Sequence, residues 1–258
     1  MVFHFAAMLN EFQSYQDYWK SNVEGTRVVA EAAIQARVER FVYASTVWVH
    51  GMGYGNINEE SPYEKSASFY ADTKREAEQL IRTLHTDQGL PAIIVRPSQV
   101  YGPRDATWTA RPLQLIRRGR MVLIDGGCGL TQPIFVDDVV EGILLAAEKG
   151  RIGEAYFLCG EKSITMAKFF GYYVRMLNRK TPMSIPRWLG LTASTLAELT
   201  SRISGRPPLF TRQEIRATTT RITCDGTKAR CELGFVPKTD LETGMQAVER
   251  WMKQSGTA

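Results

Sequence analysis

The sequence predicts an α/β protein in which a doubly wound parallel sheet is joined to a smaller, mainly helical C-terminal lobe. In the first hundred residues, short apolar runs typical of buried strands alternate with stretches of helical periodicity, which is the pattern of βαβ units. Further along, prolines become frequent and helical patterns dominate. The chain has 258 residues, 44% of them hydrophobic and 23% charged, which is typical of a folded globular protein and excludes extensive disorder.

Three strands and two helices are predicted in the first part of the chain. The strands are the apolar runs at residues 2–7, 40–45 and 92–95. Apolar residues recur every three or four positions from about Asn22 to Ala36 and again over residues 68–84, which predicts a helix in each stretch. Because the strands alternate with helices, we expect right-handed crossovers and a parallel sheet.

The second part of the chain is less regular. A helix is expected over residues 109–118, a short strand over 121–124, a glycine-rich turn at 126–129 and another strand over 155–158. Asp137 is expected to cap a helix, and the pair Thr239 and Glu242 has the spacing of a capping box before the last helix. The amphipathic stretch 188–203 has three interpretations: core packing, a substrate-facing helix or contact with a lipid surface.

Composition limits the classes of function. The net charge of +5 is spread among acidic residues, and no basic stripe interleaved with aromatic residues indicates nucleic-acid binding. No apolar run reaches the roughly 18 residues of a membrane span, so a cytoplasmic protein is expected. The four cysteines lack zinc or redox spacing and are expected to be reduced and mostly buried: Cys128, Cys159, Cys224 and Cys231. No metal is expected.

Tyr70 and Lys74 are spaced so that a phenol and an ammonium lie one turn apart on the same face of the second predicted helix. A tyrosine has a pKa of about 10, so it needs a nearby positive charge to act as a base near neutral pH. Lys74 is a candidate for that charge. The same spacing also occurs on ordinary exposed helix faces, so the motif needs its context.

That context is a set of ordered motifs. Residues 41–51 comprise a predicted strand that ends in Ser45 and Thr46, followed by the turn glycine Gly51. Residues 95–103 read VRPSQVYGP. Further motifs are HFAA at residues 4–7, NVEGT at 22–26 and FVDDV at 135–139. Together they resemble the extended short-chain dehydrogenase/reductase family, which includes NAD-dependent epimerases, dehydratases and 3β-hydroxysteroid dehydrogenases. This resemblance implies a Rossmann-type sheet and NAD or NADP as cofactor.

The resemblance also implies roles for individual residues. Tyr70 would be the catalytic acid or base, Lys74 would lower its pKa and bind the nicotinamide ribose, and Thr46 would hold the reacting oxygen. The implied cofactor-binding positions are Ala6, Ala7, Asn22, Ser45 and Pro97, besides Tyr70 and Lys74. Alternative interpretations are caps at the strand end for Ser45 and Thr46, a helix N-cap for Asn22 and a strand terminator for Pro97. His4 is assigned to packing.

The glycine-rich GxxGxxG turn with which the family begins is not found before residue 4, so we expect the chain to correspond to the later part of the fold. Residues 1–102 and 134–160 would belong to the cofactor domain, and residues 103–133 and 161–258 to the substrate lobe. The first strand would then lie at a sheet edge, which favours self-association or a partner that covers the edge.

The motifs leave more than one class of substrate and activity to weigh. Thr131 occupies the position where nucleotide-sugar members carry a phosphate-binding arginine, and the C-terminal motifs resemble 3β-hydroxysteroid-dehydrogenase-like members. The resemblance therefore implies oxidation of a secondary alcohol, of an alicyclic or sterol-like kind, by hydride transfer to the nicotinamide. The alternatives are an NAD-dependent sugar epimerase or dehydratase and a non-catalytic interaction subunit.

Overall fold

The computed structural model describes residues 1–9, 13–66, 68–204 and 210–255. Its strands are β1 (Val2–His4), β2 (Phe41–Ala44), β3 (Tyr54–Ile57), β4 (Ala92–Pro97), β5 (Gln99–Tyr101), β6 (Val122–Ile124), β7 (Leu130–Thr131), β8 (Pro133–Phe135), β9 (Ala155–Leu158), β10 (Ile164–Thr165), β11 (Met183–Ile185) and β12 (Arg221–Cys224). Its helices are α1 (Tyr15–Trp19), α2 (Gly25–Gln35), α3 (Phe69–Gln88), α4 (Arg111–Arg117), α5 (Val136–Lys149), α6 (Met166–Met176), α7 (Arg187–Ser204), α8 (Arg212–Thr219), α9 (Thr227–Leu233) and α10 (Leu241–Gln254). Short π-helical turns span Lys20–Glu24 and Ala106–Ala110, and short 3₁₀ turns span Val47–Val49 and Asp125–Gly127.

The central sheet is parallel, in the order β1-β2-β4-β9. Apart from Arg96, the middle strands β2 and β4 are apolar on both faces, and helices cover both sides of them. Phe41 and Tyr43 pack with α2 and α3, whereas Val42 packs with α5 and α9 on the opposite side. This arrangement confirms the predicted doubly wound α/β fold.

The C-terminal lobe packs around a separate apolar cluster. It is built from one face each of α4, α6 and α10 together with aromatic residues such as Tyr101 and Phe135. Four two-stranded sheets lie outside the central sheet in the described part of the chain: β5 with β8, β6 with β11, β7 with β10 and β3 with β12. The last of these joins the lobe to the first part of the chain. The predominance of helices here agrees with the sequence-based prediction.

Two local predictions and one alternative interpretation were wrong. Asn22 is not an N-cap but lies inside the π-helical turn Lys20–Glu24. Asp137 lies within the first turn of α5, whose N-cap is Phe135. The last helix is capped by Asp240, which accepts a hydrogen bond from the Thr243 backbone N–H at 2.7 Å.

The backbone N–H of Thr239, which the predicted capping box would pair with Glu242, is held elsewhere. The carboxylate of Asp138, which is buried on α5, accepts hydrogen bonds from the backbone N–H groups of Lys238 and Thr239 at 3.0 and 3.1 Å. The cysteine prediction was half right, since Cys159 and Cys224 are buried whereas Cys128 and Cys231 are exposed.

Within the part of the chain that the structure describes, β1 pairs only with β2, and the side chains of Phe3 and Phe5 are exposed. That self-association or a partner covers this edge stays a prediction. Among the described helices, none combines the length and apolar character that spanning a membrane requires. Nor do the described residues contain a group of three or more potential metal ligands.

Candidate active site

The candidate site lies where β2 and β4 end, next to the start of α3. In open parallel sheets, ligands bind outside the carboxyl ends of the strands. Thr46 follows β2 by two residues, and Pro97 ends β4. The N-cap of α3 is Ser68, whose hydroxyl accepts a hydrogen bond from the Ala71 N–H at 3.3 Å, so the helix begins beside this edge.

Helix α3 presents Tyr70 and Lys74 one turn apart, as predicted from their spacing. Tyr70 is half-buried, whereas Lys74 is almost completely buried, with 2% of its surface exposed. The Lys74 Nζ lies 4.1 Å from the centroid of the Tyr43 ring, a cation–π contact. Among the described residues, no hydrogen-bond acceptor or acidic ion-pair partner is found for this ammonium.

Electrostatics in the chain alone keep the Tyr70 phenol protonated. Burial, assisted by the nearby Tyr18, raises the pKa of Tyr70 to about 12. Burial also lowers the pKa of Lys74 to about 7, an effect that the negative charge of Glu78 opposes. The lowering of the tyrosine pKa by Lys74, expected from the sequence, is therefore not seen in the chain without cofactor.

The hydroxyl residues at the end of β2 serve different purposes. Thr46 caps the 3₁₀ turn Val47–Val49, accepting a hydrogen bond from the Trp48 N–H at 3.4 Å, and it lines the same cavity as Tyr70. Ser45 instead donates its hydroxyl proton to Glu78 Oε2 at 2.5 Å. Both residues are buried, so the structure brings Thr46, but not the Ser45 hydroxyl, to the cavity wall.

The cavity has a volume of about 340 Å³, within the range of small-molecule sites. Large apolar side chains form much of its wall: Trp48, Trp108, Met121, Ile124, Phe170 and Ile185. Polar groups at the wall include Ser98, Gln99 and the ion pair between Arg111 and Glu214, whose charged atoms are 2.6 Å apart. Much of this wall comes from the C-terminal lobe, which motif analysis left without site residues.

The remaining predicted cofactor residues do not line this cavity. Ala6 and Ala7 follow β1, and Pro97 is half-buried at the end of β4. Asn22 accepts a hydrogen bond from the Met8 N–H at 2.6 Å and donates one to the Thr73 hydroxyl at 3.0 Å. Asn22 therefore ties the segment after β1 to α3.

A buried ion pair beneath the site was missed in the sequence analysis. Glu78 on α3 and Arg96 on β4 are both buried and joined by two hydrogen bonds, at 2.5 and 3.1 Å. Tyr63 donates to the same carboxylate at 2.7 Å, and Arg96 also contacts Nε2 of His50 at 3.0 Å. The available signal was an arginine inside an otherwise apolar strand, because a buried charge requires a partner.

Comparison with known proteins agrees with this architecture. Residues 1–159 match the model of the NAD dependent epimerase/dehydratase family. A 4-hydroxy-2-methyl-3-oxo-4-farnesyl-3,4-dihydroquinoline-1-oxide ketoreductase of Stigmatella aurantiaca is 31% identical over 265 residues, covering 100% of this chain and 78% of that protein. The 3beta-hydroxysteroid-dehydrogenase/decarboxylase isoform 2 of Arabidopsis thaliana is 29% identical over 95% of this chain, which spans only 47% of that protein.

Solved structures give the same result. The dTDP-glucose 4,6-dehydratase DesIV from Streptomyces venezuelae, crystallised with NAD and TYD, superposes with a TM-score of 0.77 at 25% identity, covering 98% of this chain and 72% of that chain. The family match spans more than half of the chain, and the full-length alignment with the ketoreductase adds to it. The chain therefore belongs to the NAD dependent epimerase/dehydratase family, a family of NAD-dependent enzymes, as its motifs predicted.

Proposed function

We propose that this protein is an NAD(P)-dependent oxidoreductase that interconverts a secondary alcohol and a ketone on a largely apolar, alicyclic substrate. The observation that carries the proposal is that Tyr70 and Thr46 line one cavity with apolar walls, with the buried ammonium of Lys74 one helical turn from Tyr70. The bound nicotinamide would supply or accept the hydride.

In this proposal, Tyr70 handles the proton. With a pKa raised to about 12, its phenol is protonated at neutral pH and is ready to donate to a ketone oxygen during reduction. The Thr46 hydroxyl, on the same cavity wall, would hold that oxygen beside the phenol. In the opposite direction the phenol must lose its proton, which requires positive charge nearby.

The predicted cofactor-binding residues differ in whether their side chains are available to bind the cofactor. The ammonium of Lys74 is buried, and no hydrogen-bond acceptor for it is found in the described part of the chain, so it is suited to bind ribose hydroxyls. The side chains of Asn22 and Ser45 are already engaged, with Met8 and Thr73 and with Glu78 respectively. We propose that these two residues position the cofactor site, while Ala6, Ala7 and Pro97 would contact the cofactor directly.

The cavity favours an apolar substrate over a nucleotide sugar. Of the two arginines that line it, Arg111 and Arg120, the first is already paired with Glu214, so a diphosphate would have to compete with that carboxylate for it. Thr131 is buried and donates its hydroxyl proton to Gln99, in place of the arginine of nucleotide-sugar members. The two relatives described above carry names that indicate a farnesyl-bearing ketone and a steroid.

The test is reduction of a panel of cyclic and steroid ketones, followed through NADH and NADPH absorbance, with Tyr70→Phe as the decisive variant. We expect Tyr70→Phe to lower kcat by about 100-fold or more, because only the transferable proton is removed. The binding of NAD should change by less than about twofold. Tyr54→Phe serves as the control, since Tyr54 is exposed and lies outside the cavity.

A loss of kcat smaller than about tenfold in Tyr70→Phe, or ~1.4 kcal/mol, would contradict the assigned role. Turnover of nucleotide sugars but not of apolar ketones would overturn the substrate class. If neither class is turned over while the protein is folded, the alternative of a non-catalytic interaction subunit is favoured instead.

A further inference from the structure

Over residues 187–201, the part of α7 whose side chains the structure describes, the helix exposes a continuous face without any charged residue. Six residues of this part are exposed: Trp188, Leu189, Thr192, Leu196, Leu199 and Thr200. At 3.6 residues per turn these positions fall within an arc of about 120°. The solvent-facing side of a surface helix normally carries charged residues, so a helix that exposes this face requires another explanation.

The inner face of the same helix packs against residues that line the cavity. Gly190 lies against the side chains of Ile124 and Ile215, both of which line the cavity. Ile185, on the strand just before the helix, also lines it. Core packing, one of the three interpretations of this stretch, therefore explains the inner side of α7 but not the outer one.

The segment of sequence that contains α7 carries an excess of basic residues. Residues 175–204 contain five basic residues and one acidic residue. That acidic residue, Glu198, is paired with Arg212 at 2.8 Å, and the side chains of Arg179 and Lys180 are exposed just before β11. An uncharged helix face that carries tryptophan and leucine next to basic residues is the pattern of an interfacial helix on an anionic lipid surface.

We propose that the outer face of α7, defined by the six residues above, docks the protein on the surface of a membrane that contains anionic lipids. A second copy of the chain is a poorer occupant. The exposed apolar side chains of the face amount to an area on the order of 500 Å², whereas a stable dimer buries about 800 Å² on each partner. Binding to a lipid surface needs no such minimum buried area, because the apolar side chains and the basic residues contribute separately to the binding free energy.

Docking would place the apolar cavity just behind the lipid surface, so that a lipophilic substrate could enter from the membrane. This consequence for the substrate rests on the proposed function, whereas docking itself does not. Vesicle binding in the absence of turnover would contradict the proposed oxidoreductase without contradicting the surface. Turnover of apolar ketones in the absence of vesicle binding would contradict the docking surface without contradicting the proposed oxidoreductase.

The experiment is co-sedimentation of the full chain with vesicles of phosphatidylcholine, with and without phosphatidylglycerol. We expect binding to the anionic vesicles that weakens as salt is raised. The variant Trp188→Ser/Leu196→Ser should bind at least about tenfold more weakly, since it removes two inserting side chains. The matched control is Val140→Ser/Leu144→Ser, which replaces two exposed apolar residues of α5 and should bind like the unaltered protein.

Thermal melting of both variants, which alter only exposed side chains, establishes that each is folded. Three results would overturn the proposal: no binding of the unaltered chain to anionic vesicles, equal binding of the α7 variant, or an equal loss in the α5 control. Self-association that the α7 variant abolishes, without vesicle binding, would assign the face to contacts between copies instead.

Discussion

Replacing Glu78 with glutamine should strongly destabilise the protein, because this carboxylate neutralises a buried arginine and joins three parts of the fold. Glu78 accepts hydrogen bonds from Ser45 after β2, from Tyr63 and from Arg96 on β4. Burial opposes its ionisation, but Arg96 and these hydrogen bonds outweigh that effect and hold the pKa of Glu78 below its ordinary value. The carboxylate is therefore charged at neutral pH.

The size of the effect follows from burial. Only 1% of the surface of Arg96 is exposed and none of that of Glu78, so Glu78→Gln leaves a guanidinium charge uncompensated in the interior. Breaking a buried pair from one side costs about 3–5 kcal/mol. For a chain of this length the corresponding fall in Tm is about 10 °C. In addition, the amide nitrogen of the glutamine cannot accept the hydrogen bonds that one carboxylate oxygen of Glu78 accepts.

Thermal denaturation followed by circular dichroism measures this loss. The matched control is Glu141→Gln, which removes the carboxylate of an exposed ion pair with Lys238, 2.5 Å from Oε1 to Nζ. Its Tm should change by less than about 3 °C. The double variant Glu78→Leu/Arg96→Met should recover part of the stability, because no unpaired charge remains. If Glu78→Gln is no more harmful than Glu141→Gln, the assigned role of the buried pair is wrong.

Two further perturbations test the packing and the pH dependence. Gly160→Ala should destabilise the protein by about 1–3 kcal/mol in urea denaturation, because an added Cβ would overlap the carbonyl oxygen of Pro133. The control is Gly53→Ala, which should be tolerated because the space around that position is open. Equal denaturation midpoints for the two variants would contradict this reasoning. Burial and the nearby Arg96 lower the pKa of His50, so the imidazole binds a proton more readily in the unfolded chain than in the folded one. The free energy of unfolding should therefore fall as the pH drops below about 6.5. His50→Asn should flatten that part of the dependence in melts at successive pH values, and an unchanged slope would exclude His50 as its source.

The sequence by itself determined the architecture of the sheet and the family. Residues 41–44 and 92–97 are predominantly apolar without alternation, which a strand requires only when helices cover both of its faces. The spacing of Tyr70 and Lys74 determined that they share a helix face, because four residues are about one turn. Both inferences rest on patterns among residues that are close together in the chain, so they did not require the tertiary structure.

Tertiary structure alone decided which polar groups meet and which helix faces are covered. Asn22 and Thr73 are 51 positions apart, and Glu78 and Arg96 are brought together from a helix and a strand, so no local pattern identified either pair. The direction of the Tyr70 pKa shift depends on how deeply the fold buries the phenol, which spacing does not determine. For α7, periodicity identified an apolar helix, but helical periodicity cannot show which side is packed when both sides are apolar. Only the positions of Ile124 and Ile215 against Gly190 decided that the face of Trp188 and Leu196 is the one left exposed.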